Sequence, residues 1–84
     1  MYEIFLESRA ERDLKKLHAQ TFHRIIKRIS SLGKDPRPEG SRKIRRSKND
    51  WRIRIGEYRV IYEIDDELKE VRVMRVKKRS EAYR

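Results

Sequence analysis

The 84-residue chain contains no cysteine. That excludes a disulfide framework and any thiolate chemistry. It has two prolines and three glycines. Both prolines and one glycine fall within Lys34–Gly40, which reads as a surface loop because too little chain follows it to fold alone. No apolar run approaches the roughly 18 residues that a membrane span needs. The N-terminal stretch MYEIFLESRAERD is too acidic and too briefly apolar for a signal peptide. These absences lead to the expectation of a soluble, cytoplasmic protein with no membrane partner. Acidic residues are also in short supply. Against 24 Lys+Arg stand 14 Asp+Glu, a formal net charge of +10. An excess of that size favours polyanions such as RNA or DNA, or an acidic protein.

With 36% hydrophobic residues, one modest core is attainable only if the apolar positions are well patterned. They are. Tyr2–Leu6 reads as a first strand. Ser8 offers an N-cap with Glu11 three positions on, and Ala10, Leu14 and Leu17 then form the stripe of a first helix. Phe22, Ile25, Ile26, Ile29 and Leu32 mark a stronger second helix, with Thr21 as the expected N-cap and Gly33 as a left-handed terminator. The two helices must form a hairpin or a kinked pair.

Residues 51–62, WRIRIGEYRVIY, are the organising stretch. They predict two strands joined by a tight Gly56-Glu57 turn. Trp51, Ile53 and Ile55 alternate with Arg52 and Arg54; Tyr58, Val60, Tyr62 and Ile64 alternate with Arg59, Ile61 and Glu63. One face is therefore apolar and the other carries guanidiniums. Ser41–Ile44 suits a short preceding strand, and Asp65-Asp66-Glu67 a solvated turn. In the last strand, Glu70–Val76, the alternation changes phase between Val73 and Met74, which a β-bulge would allow. Trp51 and Met74 are expected in the core. The order β-α-α-β-β-β, with residues 1–84 as one domain, predicts an α+β fold: a helix hairpin on a small, mainly antiparallel sheet.

Cationic residues concentrate in two places. Ser41–Arg59 holds Arg42, Lys43, Arg45, Arg46, Lys48, Arg52, Arg54 and Arg59 against Asp50 and Glu57 alone. Lys77, Lys78, Arg79 and Arg84 follow the last strand. Arginine's planar fork suits phosphate, and Arg52 and Arg54 would lie about 7 Å apart on one strand face. No Gly-rich phosphate loop is present, and His18 and His23 lack partners at metal-ligand spacing, so neither a metal nor a cofactor is expected.

The segment WRIRIGEYRVIYEIDDE, followed by VRVMRVKKRSEAY, resembles the RelE/ParE toxin superfamily, specifically its RelE branch. The resemblance extends over the helix pair and the loop KDPRPEGSRKI. It implies a small ribonuclease that enters the ribosomal A site, cuts mRNA there beside rRNA, and is silenced by an acidic, RelB-like antitoxin. It also implies attack of a ribose 2′-OH on the adjacent phosphate without a metal. Under that resemblance Arg59 stabilises the phosphorane, Arg79 or Lys78 assists the leaving oxygen, and Tyr83 stacks on or orients a base. Arg52 and Arg54 hold RNA, with Arg45, Arg46, Lys48 and Lys77 as further phosphate contacts. Some RelE members carry lysines where this chain has Arg52 and Arg54. Arginine stays protonated in proteins, so the general base is open: Lys78, or none beyond positioning and electrostatics. Two alternatives share the fold, a ParE-like toxin that inhibits DNA gyrase by binding and an inactive nucleic-acid-binding homologue.

Overall fold

The computed structural model describes residues 1–82, with side chains described through residue 80. The order is β1 (Glu3–Leu6), α1 (Ser8–Lys15), α2 (Ala19–Ser31), β2 (Arg42–Lys43), β3 (Asp50–Ile55), β4 (Tyr58–Asp65), β5 (Glu70–Lys78) and a short α3 (Arg79–Ala82). The strands form one sheet in the order β1-β5-β4-β3-β2. Only β1, paired with β5, runs parallel to its neighbour. That pairing requires a crossover, which α1 and α2 supply on one face of the sheet.

The helix-facing side of the sheet is the apolar one. Ile53, Ile55, Val60, Tyr62, Ile64, Val71, Val73 and Val76 are buried there with Ala10 and Leu14 of α1 and Ile25 and Ile29 of α2, and with Leu32 just past α2. Trp51 and Tyr58 are half-buried against this core. Ile55 pairs with Tyr58, leaving Gly56 and Glu57 as a two-residue loop. Gly56 has φ +60, the left-handed first position that a type II′ hairpin turn reserves for glycine.

The phase change in β5 is a bulge. Ile61 pairs with Arg75 and Tyr62 with Val73, so Met74 is the extra residue. Met74 is accordingly half-buried and outside the core, contrary to the expectation for it. The bulge lets Val73 and Val76 both face the helices although they stand three positions apart, an odd spacing that plain alternation would send to opposite faces.

The helix ends differ from the sequence expectations. Glu7, in extended conformation, is the N-cap of α1, so Ser8 is already helical and forms no capping box with Glu11. His18 occupies the same position for α2, three residues earlier in the chain than the expected cap at Thr21. Neither helix has a side-chain cap hydrogen bond. Gly33 is not left-handed either. Its carbonyl accepts the Tyr2 N–H at 2.7 Å, and a Cβ there would stand 3.0 Å from the Tyr2 carbonyl oxygen. Glycine permits the close backbone approach that ties the end of α2 to the start of β1.

Strand β1 ends at Leu6 whereas its partner β5 continues to Lys78, and the uncovered edge of β5 needs another acceptor. Asp13 of α1 supplies it. Its carboxylate accepts the Val76 N–H at 2.8 Å and the Arg75 Nε–H at 2.9 Å. Burial opposes ionisation of Asp13, but the hydrogen bonds from Arg75 and the Val76 N–H and the charges of Arg75 and Lys16 outweigh it and hold the carboxyl below its ordinary value of 3.8. A depressed carboxyl stabilises the fold above its unfolded pKa, and that stability is lost as pH falls through the lower folded value. Asp13→Ala leaves the Val76 N–H without this acceptor and should cost about 1–3 kcal/mol. Its melting temperature should converge on that of the parent as the pH is taken down through the carboxylate range. A gap that persists undiminished in acid would refute this account.

Candidate nucleic-acid interface

The sheet face away from the helices carries the cations. In antiparallel register, paired residues share a face with Cβ atoms about 4.5–5.5 Å apart. Arg54 pairs with Arg59, and Arg59 with Lys77, so three strands present Arg54, Arg59 and Lys77 in one row. The adjacent row is Arg42, Arg52, Ile61 and Arg75. The next is Asp50, Glu63, Arg72 and Phe5. Charge thus grades along the face, from mixed at the Asp50 end to wholly cationic at the Gly56 end.

Within the cationic row exposure is uneven. Arg54 is exposed and Lys77 half-buried, whereas Arg59 is only 5% exposed. Among the described residues Arg59 is the single buried charged side chain. Beside the row, Arg42, Arg52 and Arg54 join Gly40 around a pocket of about 200 Å³. Gly40 has φ +92, the left-handed conformation that closes the loop behind that pocket.

That loop is anchored from two sides. The buried Tyr62 donates its hydroxyl to the Pro36 carbonyl at 2.7 Å, and burial pushes its phenol up to about 12. Arg37 lies over the Trp51 ring at 5.2 Å and grips the Asp66 carboxylate with both terminal nitrogens, at 3.2 and 2.8 Å. Tyr2 donates its hydroxyl to the same carboxylate at 2.6 Å. The bonds from Arg37 and then Tyr2 lower the Asp66 carboxyl to about 2. Asp66 is therefore a partner in a network and not a merely solvated turn residue.

The expected site residues separate into groups. Arg52, Arg54, Arg59 and Lys77 share the open face. Lys78 does not. It pairs with Tyr58, which places it in the register of the helix-facing side. It borders a cavity of about 360 Å³ at the edge of β5, which Lys77 also lines and to which His18, Leu17 and Tyr58 contribute. Arg45, Arg46 and Lys48 lie in the β2–β3 connection, at the Asp50 end of β3. They are about 13 Å or more along that strand from Arg54, given roughly 3.3 Å per residue. Arg79 opens α3, and its N–H donates to the Glu57 carbonyl at 2.8 Å, which sets it beside the β3–β4 turn. Tyr83 lies outside the described residues. Arg42, not among the expected site residues, reaches the pocket because β2 pairs it with Arg52, a long-range register that no local pattern announces.

A family model for the ParE toxin of type II toxin–antitoxin systems, parDE, matches residues 4–83. The chain belongs to the RelE/ParE toxin superfamily. Toxin RelG of Mycobacterium tuberculosis is 31% identical over 84 residues, covering 99% of this chain and 97% of RelG. The fold matches a chain of the M. tuberculosis RelBE2 toxin–antitoxin complex with a TM-score of 0.82 at 30% identity, over 93% of this chain and 98% of that one. It matches the isolated RelE toxin of Escherichia coli with a TM-score of 0.81 at 29% identity, over 99% of this chain and 92% of RelE. The α+β architecture expected from the sequence is thus that of RelE toxins, with β2 inside the stretch Ser41–Ile44 expected to form a short strand and α3 in addition to the expected elements. Among the described residues of this RelE-like toxin, no helix is long and apolar enough to cross a membrane.

Proposed function

We propose that this RelE-like toxin is an endoribonuclease that cuts mRNA in the ribosomal A site and is kept silent by a RelB-type antitoxin. The observation that carries the reading is the buried Arg59, flanked in register by Arg54 and Lys77 on an open sheet face. A cation held out of water by neighbouring strands acts more strongly on developing charge than one in solution, and needs no reorganisation when that charge appears. Attack of a 2′-OH on the adjacent phosphate produces such charge on the phosphorane. It yields a 2′,3′-cyclic phosphate and a 5′-OH with neither a metal nor a cofactor among the reactants.

Arg59 stabilises the phosphorane in this reading. Arg52, Arg54 and Arg42 hold the RNA backbone at their pocket, and Arg79 comes from the β3–β4 end to neutralise charge on the departing side. Tyr83 stacks on a base near the cut. Arg45, Arg46 and Lys48, far along the sheet, contact rRNA rather than the scissile phosphate. The antitoxin assignment rests on the +10 charge and on the RelB–RelE complexes among the relatives. An acidic, partly disordered chain that folds on contact suits such a surface.

The family model that matches is that of ParE toxins, which favours a second reading, inhibition of DNA gyrase by binding. The two separate in one comparison. Purified toxin added to translating ribosomes should produce discrete mRNA 5′ ends within A-site codons and leave gyrase supercoiling unaffected. Intact mRNA together with blocked supercoiling would establish the ParE-like activity instead.

A further inference from the structure

On the open face, the row Arg54, Arg59, Lys77 holds one side chain able to exchange a proton. Arginine keeps its proton in proteins, whereas lysine can release one. The carboxylates within the sheet rows are remote, and Asp13, which lines the edge cavity together with Lys77, has its carboxylate engaged by Arg75 and the Val76 N–H. Glu63 lies four residues from Arg59 along β4, about 13 Å away, and Asp50 is its cross-strand partner. Tyr58 and Lys78 belong to the opposite register. His18 borders the cavity beside Lys77 but belongs to the joint before α2, outside the sheet rows. Lys77 itself is held in place by a continuous strand and is half-buried next to Arg59.

We propose that Lys77 is the general acid of the cleavage, a role that rests on the ribonuclease reading above. The 2′-hydroxyl gives its proton to solvent, and its oxygen forms the new bond to phosphorus. The bond from phosphorus to the 5′-oxygen breaks, and its electron pair stays on that oxygen. The Lys77 ammonium then passes a proton to the 5′-oxygen and becomes a neutral amine, which water reprotonates. Arg59 and Arg54 stabilise the phosphorane throughout without giving up a proton. Arginine at 52 and 54 is no obstacle to this chemistry, because the 2′-hydroxyl proton goes to solvent and the proton for the 5′-oxygen comes from the third strand of the row.

Lys77→Arg separates charge from proton transfer, since it keeps the cation and removes the exchangeable proton. The probe is a ribosome-bound mRNA cut at a codon mapped with the parent toxin, prepared in two forms. One has the natural 5′-oxygen at the scissile linkage and the other a bridging 5′-sulfur, which departs as a thiolate without protonation. On the oxygen message Lys77→Arg should lower kcat by ~10²-fold or more with little change in KM. On the sulfur message it should stay within about threefold of the parent. Lys77→Gln should show the same sulfur rescue superimposed on a loss common to both messages, and melting curves identify any variant that fails to fold. Full activity of Lys77→Arg on the oxygen message, or equal losses on both, would overturn the assignment while leaving the ribonuclease reading intact. Failure of the parent toxin to cut either message would instead remove that reading.

Discussion

Arg59→Ala is expected to slow mRNA cleavage by ~10²–10³-fold, the range seen when one preorganised donor is removed from a charge-stabilising site. Ribosome binding should change far less. The distinction follows from where the charge sits. Arg42, Arg52 and Arg54 line an open pocket, and in the proposed function they meet phosphate in the ground state. Arg59 is 5% exposed, between Arg54 and Lys77, where it does most for charge that appears only as phosphorus becomes five-coordinate. An interaction made chiefly in the transition state lowers kcat and kcat/KM together and leaves KM nearly unchanged. Arg59→Lys retains a cation but loses the planar fork, so it should recover part of the rate and not all of it. Because Arg59 is buried, each variant needs a melting curve beside its kinetics. Parallel losses in ribosome affinity and in kcat would show that Arg59 is one binding contact among several.

The parts of the fold that were legible in the sequence are those with a period. Residues 51–62 alternate so strictly that both strands, their turn and the two faces followed from them. Ile25, Ile29 and Leu32 repeat at helical spacing and all three are buried. Even the β5 bulge was written in the phase change at Met74, although the residue's exclusion from the core was not. What lacked a local signal was anything joining distant parts of the chain. Asp13 and Val76 are 63 positions apart, and the sequence around Asp13 shows only a polar helix position. The bond exists because β1 stops at Leu6, a length that the apolar pattern does not determine. The same holds for Asp66, whose two partners come from the N-terminus and from the loop before β2.

The candidate site divides along the same line. Arg52, Arg54 and Arg59 could be placed on one face from alternation within a single hairpin. The choice between Lys77 and Lys78 could not, because a bulge upstream shifts the register of everything after it. Counting alternation from Val71 without the bulge sends Lys77 to the helix side. With Met74 as the extra residue, Lys77 joins Arg59 and Lys78 turns away. One residue of irregularity thus decides which lysine shares the open face with Arg59, and the proposed role of Lys77 depends on it.

Tyr62→Ala should be the most destabilising single change in the chain, at about 3–5 kcal/mol for loss of a large buried aromatic. Tyr62 is fully buried at the centre of the sheet, between Trp51 on β3 and Val73 beside the bulge on β5. A domain of this size shifts its melting temperature by roughly 4–8 °C per kcal/mol, so the variant should melt at least about 12 °C below the parent. Tyr62→Phe isolates the hydroxyl. It leaves the ring in place and removes the bond to the Pro36 carbonyl, at a cost of about 0.5–1.5 kcal/mol. The alkaline limb tests the same bond. Burial raises the folded phenol from 10.0 to about 12, so the neutral hydroxyl stabilises the fold fully below pH 10, and that contribution is lost as pH rises toward 12. Tyr62→Phe should lack this loss, and the difference in stability between it and the parent should narrow across that window. A functional consequence accompanies the stability one. The Pro36 bond anchors the loop that ends at Gly40, one wall of the pocket formed by Arg42, Arg52 and Arg54. Tyr62→Phe should therefore weaken RNA retention, seen as a raised KM, while kcat holds, because Arg59 is positioned by the sheet and not by the loop. A fall in kcat with unchanged KM would mean that the loop reaches the reacting phosphate itself.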